Sequence, residues 1–109
     1  MSEFKKKYSL DFRINEYQKL YNEYKNRIPI ICENLPLKKN KFLIQNYFTF
    51  GQFLFIIRDK IKCKAEKTIF LFINNIIPSI NEQMIILYNK YKDEDGFLYI
   101  YYSEENAFG

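Results

Sequence analysis

R-I-P-I-I-C-E, residues Arg27–Glu33, followed after a short polar stretch by K-F-L-I-Q, residues Lys41–Gln45, decides the fold. Both runs are short and rich in β-branched and aromatic residues, which is the composition of strands rather than helices. Two such runs joined by Asn34–Asn40 predict an antiparallel hairpin. Pro29 lacks an N–H and therefore belongs near the start of the first strand, where a missing donor does least harm. Ile28, Ile30 and Cys32 point to one face of that strand, and Pro29 and Ile31 to the other. The second strand carries Phe42, Leu43 and Ile44 in succession, so large apolar groups face both ways. A strand with one wet face should alternate instead. Such a strand at a sheet edge offers unpaired N–H and C=O groups beside apolar side chains, a template for an incoming extended peptide. Pattern alone is equally consistent with these groups being covered by a helix from the same chain.

Outward from the hairpin, the flanks alternate between helix and strand. Upstream, Leu10, Ile14, Tyr17, Tyr21 and Tyr24 follow 4-3-4-3 spacing, one stripe of an amphipathic helix, with a short helical turn over Ser2–Lys7 ahead of it. Downstream, Thr49 caps a helix from Phe50 to about Lys60 whose apolar residues Phe50, Phe53, Leu54, Ile57 and Ile61 share a face. Thr68–Ile73 predicts a third strand. Ser79 and Glu82 have capping-box spacing before a further helix that buries Ile85 and Tyr88, with Met84 and Tyr91 as further candidates. Asp93–Gly96 is a turn, Phe97–Tyr102 a fourth strand, and Ser103–Gly109 a loose tail. The order is helix, β, β, helix, β, helix, β: an α+β domain with helices packed on a four-stranded mixed sheet, which fits the β-grasp (ubiquitin-like) fold with two additional N-terminal helices. At 109 residues it is one domain. Residues 1–25 form the helical extension, 26–102 the β-grasp core and 103–109 the tail.

Composition excludes several functions. The chain is 48% hydrophobic, with 11 Phe and 10 Tyr but only 3 Gly and 3 Pro, so it has ample core material and no low-complexity segment. It contains no histidine, and its two cysteines, Cys32 and Cys63, show no ligand spacing, so zinc binding and a Cys–His nucleophile are not expected. No Gly-rich phosphate loop and no paired carboxylates point to an enzyme or a cofactor. Met1–Leu10 has no apolar core of a signal peptide, and no run approaches the ~20 residues of a membrane span, which predicts a cytoplasmic protein. The formal charge of +4 is uneven: residues 93–109 hold five acids and no base, leaving the front of the chain strongly basic. That asymmetry favours acidic partners. An RNA-binding module is the main rival, because Asp95–Tyr102 partly follows the aromatic strand of the RRM. Asp95 stands where that signature wants a cation, however, and acids flank the strand on both sides, so no nucleic-acid partner is expected.

The chain resembles the GABARAP and light-chain-3 family of autophagy modifiers along nearly its whole length. The resemblance is carried by Tyr24–Glu33, Lys41–Ile44, Gly51-Gln52-Phe53, Ile57-Arg58, Glu66-Lys67, Ile69–Phe72, Lys92–Tyr99 and Tyr102–Gly109. It implies a ubiquitin-like modifier, not an enzyme, coupled through its C-terminal glycine, here Gly109, to phosphatidylethanolamine, with Phe108 helping to seat the tail. A glycine carboxylate has no side chain to obstruct a narrow enzyme channel. The implied partners are ubiquitin-like activating and conjugating enzymes, a processing and delipidating cysteine protease, and autophagy receptors carrying an aromatic-x-x-aliphatic motif. The implied location is cytoplasmic, and the autophagosome membrane once lipidated. The resemblance places an aromatic pocket at Glu16, Leu20, Pro29, Ile31, Lys41, Leu43 and Phe97. It places an aliphatic pocket at Phe42, Ile44, Phe48, Phe53, Ile56 and Arg58. Arg27, Lys39 and Lys41 would meet acidic residues of the guest, and Phe70, Leu71 and Phe72 would form a second docking face. Three departures stand out. The segment between Glu33 and Lys41 is about six residues shorter than usual. Gln45 replaces a common proline. Gly109 is the last residue, where many members carry further residues that the protease removes. The resemblance leaves two variants open: service at another organelle membrane, or an unconjugated peptide-binding scaffold.

Overall fold

A computed structural model describes residues 2–105. Four strands, β1 (Arg27–Glu33), β2 (Lys41–Gln45), β3 (Phe70–Phe72) and β4 (Leu98–Ser103), form one sheet in the order β2-β1-β4-β3. β1 runs antiparallel to β2 and parallel to β4, with Ile30 opposite Phe42 on one side and Leu98 on the other. β3 closes the far edge antiparallel to β4. Two central parallel strands from opposite ends of the chain, each with an antiparallel outer neighbour, make the β-grasp fold. Pro29 sits on β1 one residue before the pairing with β4 begins, so no ladder bond is lost by its missing N–H.

One sheet face carries the main core: Ile28, Ile30 and Cys32 of β1, Phe42 and Ile44 of β2, and Leu98 and Ile100 of β4 pack against α3 (Phe50–Lys60) and α4 (Met84–Tyr91). α3 begins where expected: Thr49 Oγ1 accepts from Gln52 N–H at 3.2 Å and Gln52 Oε1 accepts from Thr49 N–H at 2.8 Å, a full capping box. The remaining N–H groups of its first turn are met from outside, Phe50 donating to Glu82 O at 2.8 Å and Gly51 to Ile80 O at 2.9 Å. In return Met84 N–H donates to Phe48 O at 2.9 Å. This exchange corrects the expected start of α4. Ser79–Glu82 is a turn whose carbonyls cap α3, and α4 begins only at Met84, behind Gln83, with no side-chain cap. Its buried residues are Met84, Leu87 and Tyr88. The third strand is also shorter than Thr68–Ile73; Ile73 instead bridges Ile76 across the Asn74–Asn75 turn, both asparagines adopting positive φ.

The other face of the sheet is covered by α1 (Glu3–Lys7) and α2 (Leu10–Glu23), capped by Ser2 and Ser9. A second, smaller core joins Phe4, Ile31, Phe97 and Tyr99, with Tyr8, Tyr17 and Leu20 packed against it. α2 therefore faces the sheet with Arg13, Tyr17 and Leu20, rotated from the predicted apolar stripe, and Tyr21 stays half exposed. The cause is Arg13. Its Nε lies 2.9 Å from Asp95 Oδ2 and its Nη1 donates to Tyr8 O at 2.7 Å, so a cation buries where the pattern wants a hydrophobe. β4 runs through Ser103, and Glu104 is held by Lys67 at 3.0 Å and by Tyr102 Oη at 2.9 Å. Phe108 and Gly109 lie outside the described residues.

Candidate functional site

β2 is an edge strand, bonded only to β1. Its hydrogen-bond phase follows from the two ends of the ladder. Cys32 N–H donates to Asn40 O at 2.8 Å and Asn46 N–H to Asn26 O at 3.2 Å, which makes Ile30/Phe42 and Ile28/Ile44 the bonded pairs. The N–H and C=O groups of Lys41, Leu43 and Gln45 therefore point away from the sheet. Side chains alternate in the same phase: Phe42 and Ile44 are buried in the main core, whereas Lys41, Leu43 and Gln45 stand half exposed on the α2 side. The free edge thus presents a backbone ladder beside Leu43 and Lys41, with no helix of the described residues laid over it.

The residues assigned to an aromatic pocket fall in two adjoining concavities. Leu20, Pro29 and Leu43 line a cleft of about 340 Å³ between α2 and α4. Glu16 and Lys41 line a second, of about 320 Å³, walled by Phe4, Tyr8 and Phe12. Glu16 connects α2 to the strand: its carboxylate takes Lys41 Nζ at 3.2 Å and Lys19 Nζ at 3.3 Å. The Lys41 and Lys19 hydrogen bonds hold its carboxyl below the usual range. Lys41 also sits 5.5 Å from the centre of the Phe4 ring. Ile31 and Phe97 have no exposed surface and line neither concavity; they belong to the smaller core against which Tyr17 and Leu20 pack.

The residues assigned to an aliphatic pocket divide by depth. Phe53 is fully buried and meets Phe42 edge-on at 6.0 Å, so these two and Ile44 form a rigid base. Phe48 and Ile56 reach the surface, in a shallow depression shared with Phe55 and Ile80. Arg58 is engaged with the chain itself, donating to the carbonyls of Lys64 and Lys67, both at 2.7 Å, and so fixes the loop before β3. Lys39 is exposed, and Arg27 lies 5.5 Å from the Tyr24 ring. At the opposite edge, Phe70 and Phe72 stack at 6.4 Å on one face of β3 while Leu71 enters the core. The sequence reading missed Tyr21, Tyr24, Tyr88 and Lys92, which line the larger cleft. The only signal for them was the drift of the α2 stripe toward Tyr21 and Tyr24.

Comparison with known proteins places this geometry. The family model described as "Autophagy protein Atg8 ubiquitin like" matches residues 12–109. Autophagy-related protein 8 of Schizosaccharomyces pombe is 43% identical over 99% of this chain and 94% of its own length. Its counterpart in Eremothecium gossypii is 41% identical over 100% of this chain and 96% of its own. Among solved structures, Trypanosoma brucei ATG8 superimposes with a TM-score of 0.89 at 35% identity, covering 94% of each chain. Plasmodium falciparum Atg8, solved in complex with a P. falciparum Atg3 peptide, gives 0.85 at 40% identity, covering 96% of this chain and 98% of its own.

Proposed function

Because the chain belongs to the Atg8 family of autophagy ubiquitin-like proteins, we propose that it is a modifier coupled through Gly109 to phosphatidylethanolamine and a docking module for receptor peptides at the β2 edge. It acts by being attached and by being bound, and is not itself an enzyme. An extended guest pairs its backbone with the outward groups of Lys41, Leu43 and Gln45. Its aromatic residue enters beside Leu20, Pro29 and Leu43, with Glu16 and Lys41 at the rim and Ile31 and Phe97 in the small core behind Leu20. Its aliphatic residue lies over Phe42, Ile44 and Phe53, next to Phe48, Ile56 and Arg58. Lys39, Lys41 and Arg27 meet the guest's acids, and Phe70, Leu71 and Phe72 serve as a second face.

The observation that carries this reading is the unpaired edge of β2 with Leu43 beside it. The Atg3 peptide bound to the P. falciparum relative supports a conjugating enzyme as one partner. Activating enzyme, a processing cysteine protease and receptors with aromatic-x-x-aliphatic motifs complete the set. No described helix is long and apolar enough to cross a membrane, so residence on the autophagosome membrane would follow from the lipid, with the free protein in the cytoplasm.

Two measurements test the two halves. In a reconstituted conjugation reaction, deletion of Gly109 should abolish the phosphatidylethanolamine adduct; an adduct formed by that variant refutes the attachment site. Receptor peptides should bind with dissociation constants on the order of micromolar. Leu43→Asp, at a half-exposed position, should weaken them at least about tenfold, or roughly 1.4 kcal/mol. Unchanged calorimetric affinity in the folded variant removes the groove.

A further inference from the structure

Among the described residues, Oε1 of Glu33 is the only buried side-chain oxygen or nitrogen without a hydrogen-bond partner. Glu33 ends β1 and is 3% exposed. It shares a strand face with Pro29 and Ile31, the face that α1 covers. Its other oxygen, Oε2, accepts the N–H of Glu3, the first residue of α1, at 2.6 Å. A carboxylate withdrawn from water onto one neutral donor is costly unless a cation meets it. The cations of the neighbouring elements are committed elsewhere. Lys5 pairs with Asp93, Lys6 lies 3.5 Å from Glu3, Lys7 stands 5.5 Å from the Tyr8 ring, and Lys41 pairs with Glu16. On β4 the residue in register with Glu33 is Tyr101, a phenol whose pKa is pushed up by burial first and then by the Glu33 charge.

We infer that the missing counter-charge is an α-ammonium group on Ser2, and that the mature chain is therefore processed to a free amine at that residue. Ser2 directly precedes Glu3, is 3% exposed, and has extended backbone at φ −75° and ψ 127°. Successive nitrogens of extended backbone stand about 3.5 Å apart. A carboxylate that takes Glu3 N–H on one oxygen thus reaches the Ser2 nitrogen with the other. The remaining polar atoms of Ser2 are already used: Oγ accepts from Lys5 N–H at 3.1 Å and the carbonyl from Lys6 N–H at 3.2 Å. As an amide, the Ser2 nitrogen has one N–H fixed in the peptide plane, and it makes no bond to Oε1. As an ammonium it has three rotatable donors and a full charge. Hydrolysis of the Met1–Ser2 bond supplies it: water is consumed, methionine leaves with the carboxylate, and Ser2 keeps the ammonium. Methionine aminopeptidases cut before small residues such as serine, because the side chain after the cut must fit a narrow site. Acetylation of the same nitrogen would cancel the charge and leave Glu33 unpaired. The site thus distinguishes a free from a blocked terminus, and the free form holds α1 more firmly on the sheet.

Intact-mass spectrometry of the protein purified from the cells that make it should show a chain that starts at Ser2 and carries no acetyl group. Retained Met1 or acetyl-Ser2 overturns the inference. Carbamylation rates measured against pH, with Ser2 separated from the lysines by peptide mapping, then read the proton affinity of the amine. An ordinary α-amine titrates at about 7.7–8.0. The Ser2 amine should hold its proton at least about tenfold more tightly, and Glu33→Gln should return it to the ordinary value. Enzymatic acetylation of Ser2 in the otherwise unchanged protein should speed amide hydrogen exchange at Lys5 and Lys6 at least about tenfold. That comparison needs no substitution, so it stands even if Glu33→Gln fails to fold. In folded Glu33→Gln, acetylation should leave the exchange unchanged. An ordinary proton affinity in the parent protein, equal exchange with and without the acetyl group, or the same acceleration in Glu33→Gln overturns the pairing.

Discussion

Replacing Arg13 with methionine should destabilise this protein about as much as truncation of a core hydrophobe. The Arg13 side chain is 9% exposed and that of Asp95 is fully buried, with 2.9 Å between Nε and Oδ2. Asp95 also accepts from Phe97 N–H at 2.8 Å and from Tyr99 Oη–H at 2.5 Å. Methionine matches the length of the arginine stem but leaves the Asp95 carboxylate with two neutral donors and no counter-charge. Removing one member of a buried ion pair costs about 3–5 kcal/mol, because the survivor's charge is left uncompensated. The two remaining donors place the expectation at the lower end, about 3 kcal/mol. Against a typical total of roughly 5–15 kcal/mol, that is a large share of the stability. At about 4 °C per kcal/mol for a domain of this size, the melting temperature should fall by about 12 °C. Urea unfolding followed by circular dichroism, with free energy and slope fitted separately, measures the loss. The Arg13→Met/Asp95→Asn double variant should recover about 1–3 kcal/mol of the summed single losses, since the charge it leaves behind is gone. A single-variant loss below about 1 kcal/mol with unchanged slope would refute the account of Arg13 as an obligatory counter-ion. The pair also anchors α2, so the single variant should weaken guest peptides that lean on Leu20.

Gly96→Ala should cost about 2–4 kcal/mol in thermal or urea unfolding: φ is +98°, and a Cβ there would fall 2.4 Å from Cγ of the Tyr17 ring. Tyr17→Leu in the same chain should relieve the clash but not the backbone strain, and full recovery would contradict that division. Cys32 is fully buried, and burial, followed by the Glu33 charge, pushes its thiol up to about 12. A disulfide reagent should therefore modify one thiol, Cys63, in the native protein and two in denaturant; two fast native thiols would show the β1 packing to be wrong. Burial, then the hydrogen bond and charge of Glu104, lift the Tyr102 phenol to about 12. A raised pKa in the folded state gives stability that is whole below the ordinary phenol value near 10 and is lost as pH climbs from there to 12. The urea midpoint should fall over that window, and less steeply in Tyr102→Phe; an unchanged slope would exclude Tyr102 as a contributor.

The parts of the fold that could be read in the sequence are those fixed by neighbours a few residues away. Thr49 and Gln52 cap α3 because both halves of the box lie within one turn. Ile28, Ile30 and Cys32 alternate against Pro29 and Ile31 because a strand's period is two, and the structure sorts them onto the two faces accordingly. Ser79 and Glu82 show the limit of that reasoning. Their spacing is that of a capping box, yet the carbonyls of Ile80 and Glu82 are spent on the first turn of α3, a competition invisible from within the segment. Arg13 turns α2 toward Asp95, far along the chain, and no periodicity reports such a partner. The candidate site divides in the same way. Leu43, at the free edge, is legible from an apolar run that refuses to alternate. The α2–α4 cleft draws its walls from three distant segments, so its cations appear in the sequence only as scattered lysines and arginines.

The pairing of β1 with β4 has a consequence for how the protein is made. Ile30 finds Leu98 and Cys32 finds Ile100, so the middle of the sheet is stitched from the first and last strands to leave the ribosome. Until β4 emerges, the apolar runs of the nascent hairpin have no neighbour on one side, which is the situation in which chaperones are most needed. A polypeptide interrupted before Leu98 is left with a half-built sheet, and with it a β2 edge that no longer has a rigid backing. The central parallel pair of the sheet therefore cannot close before β4 has been made.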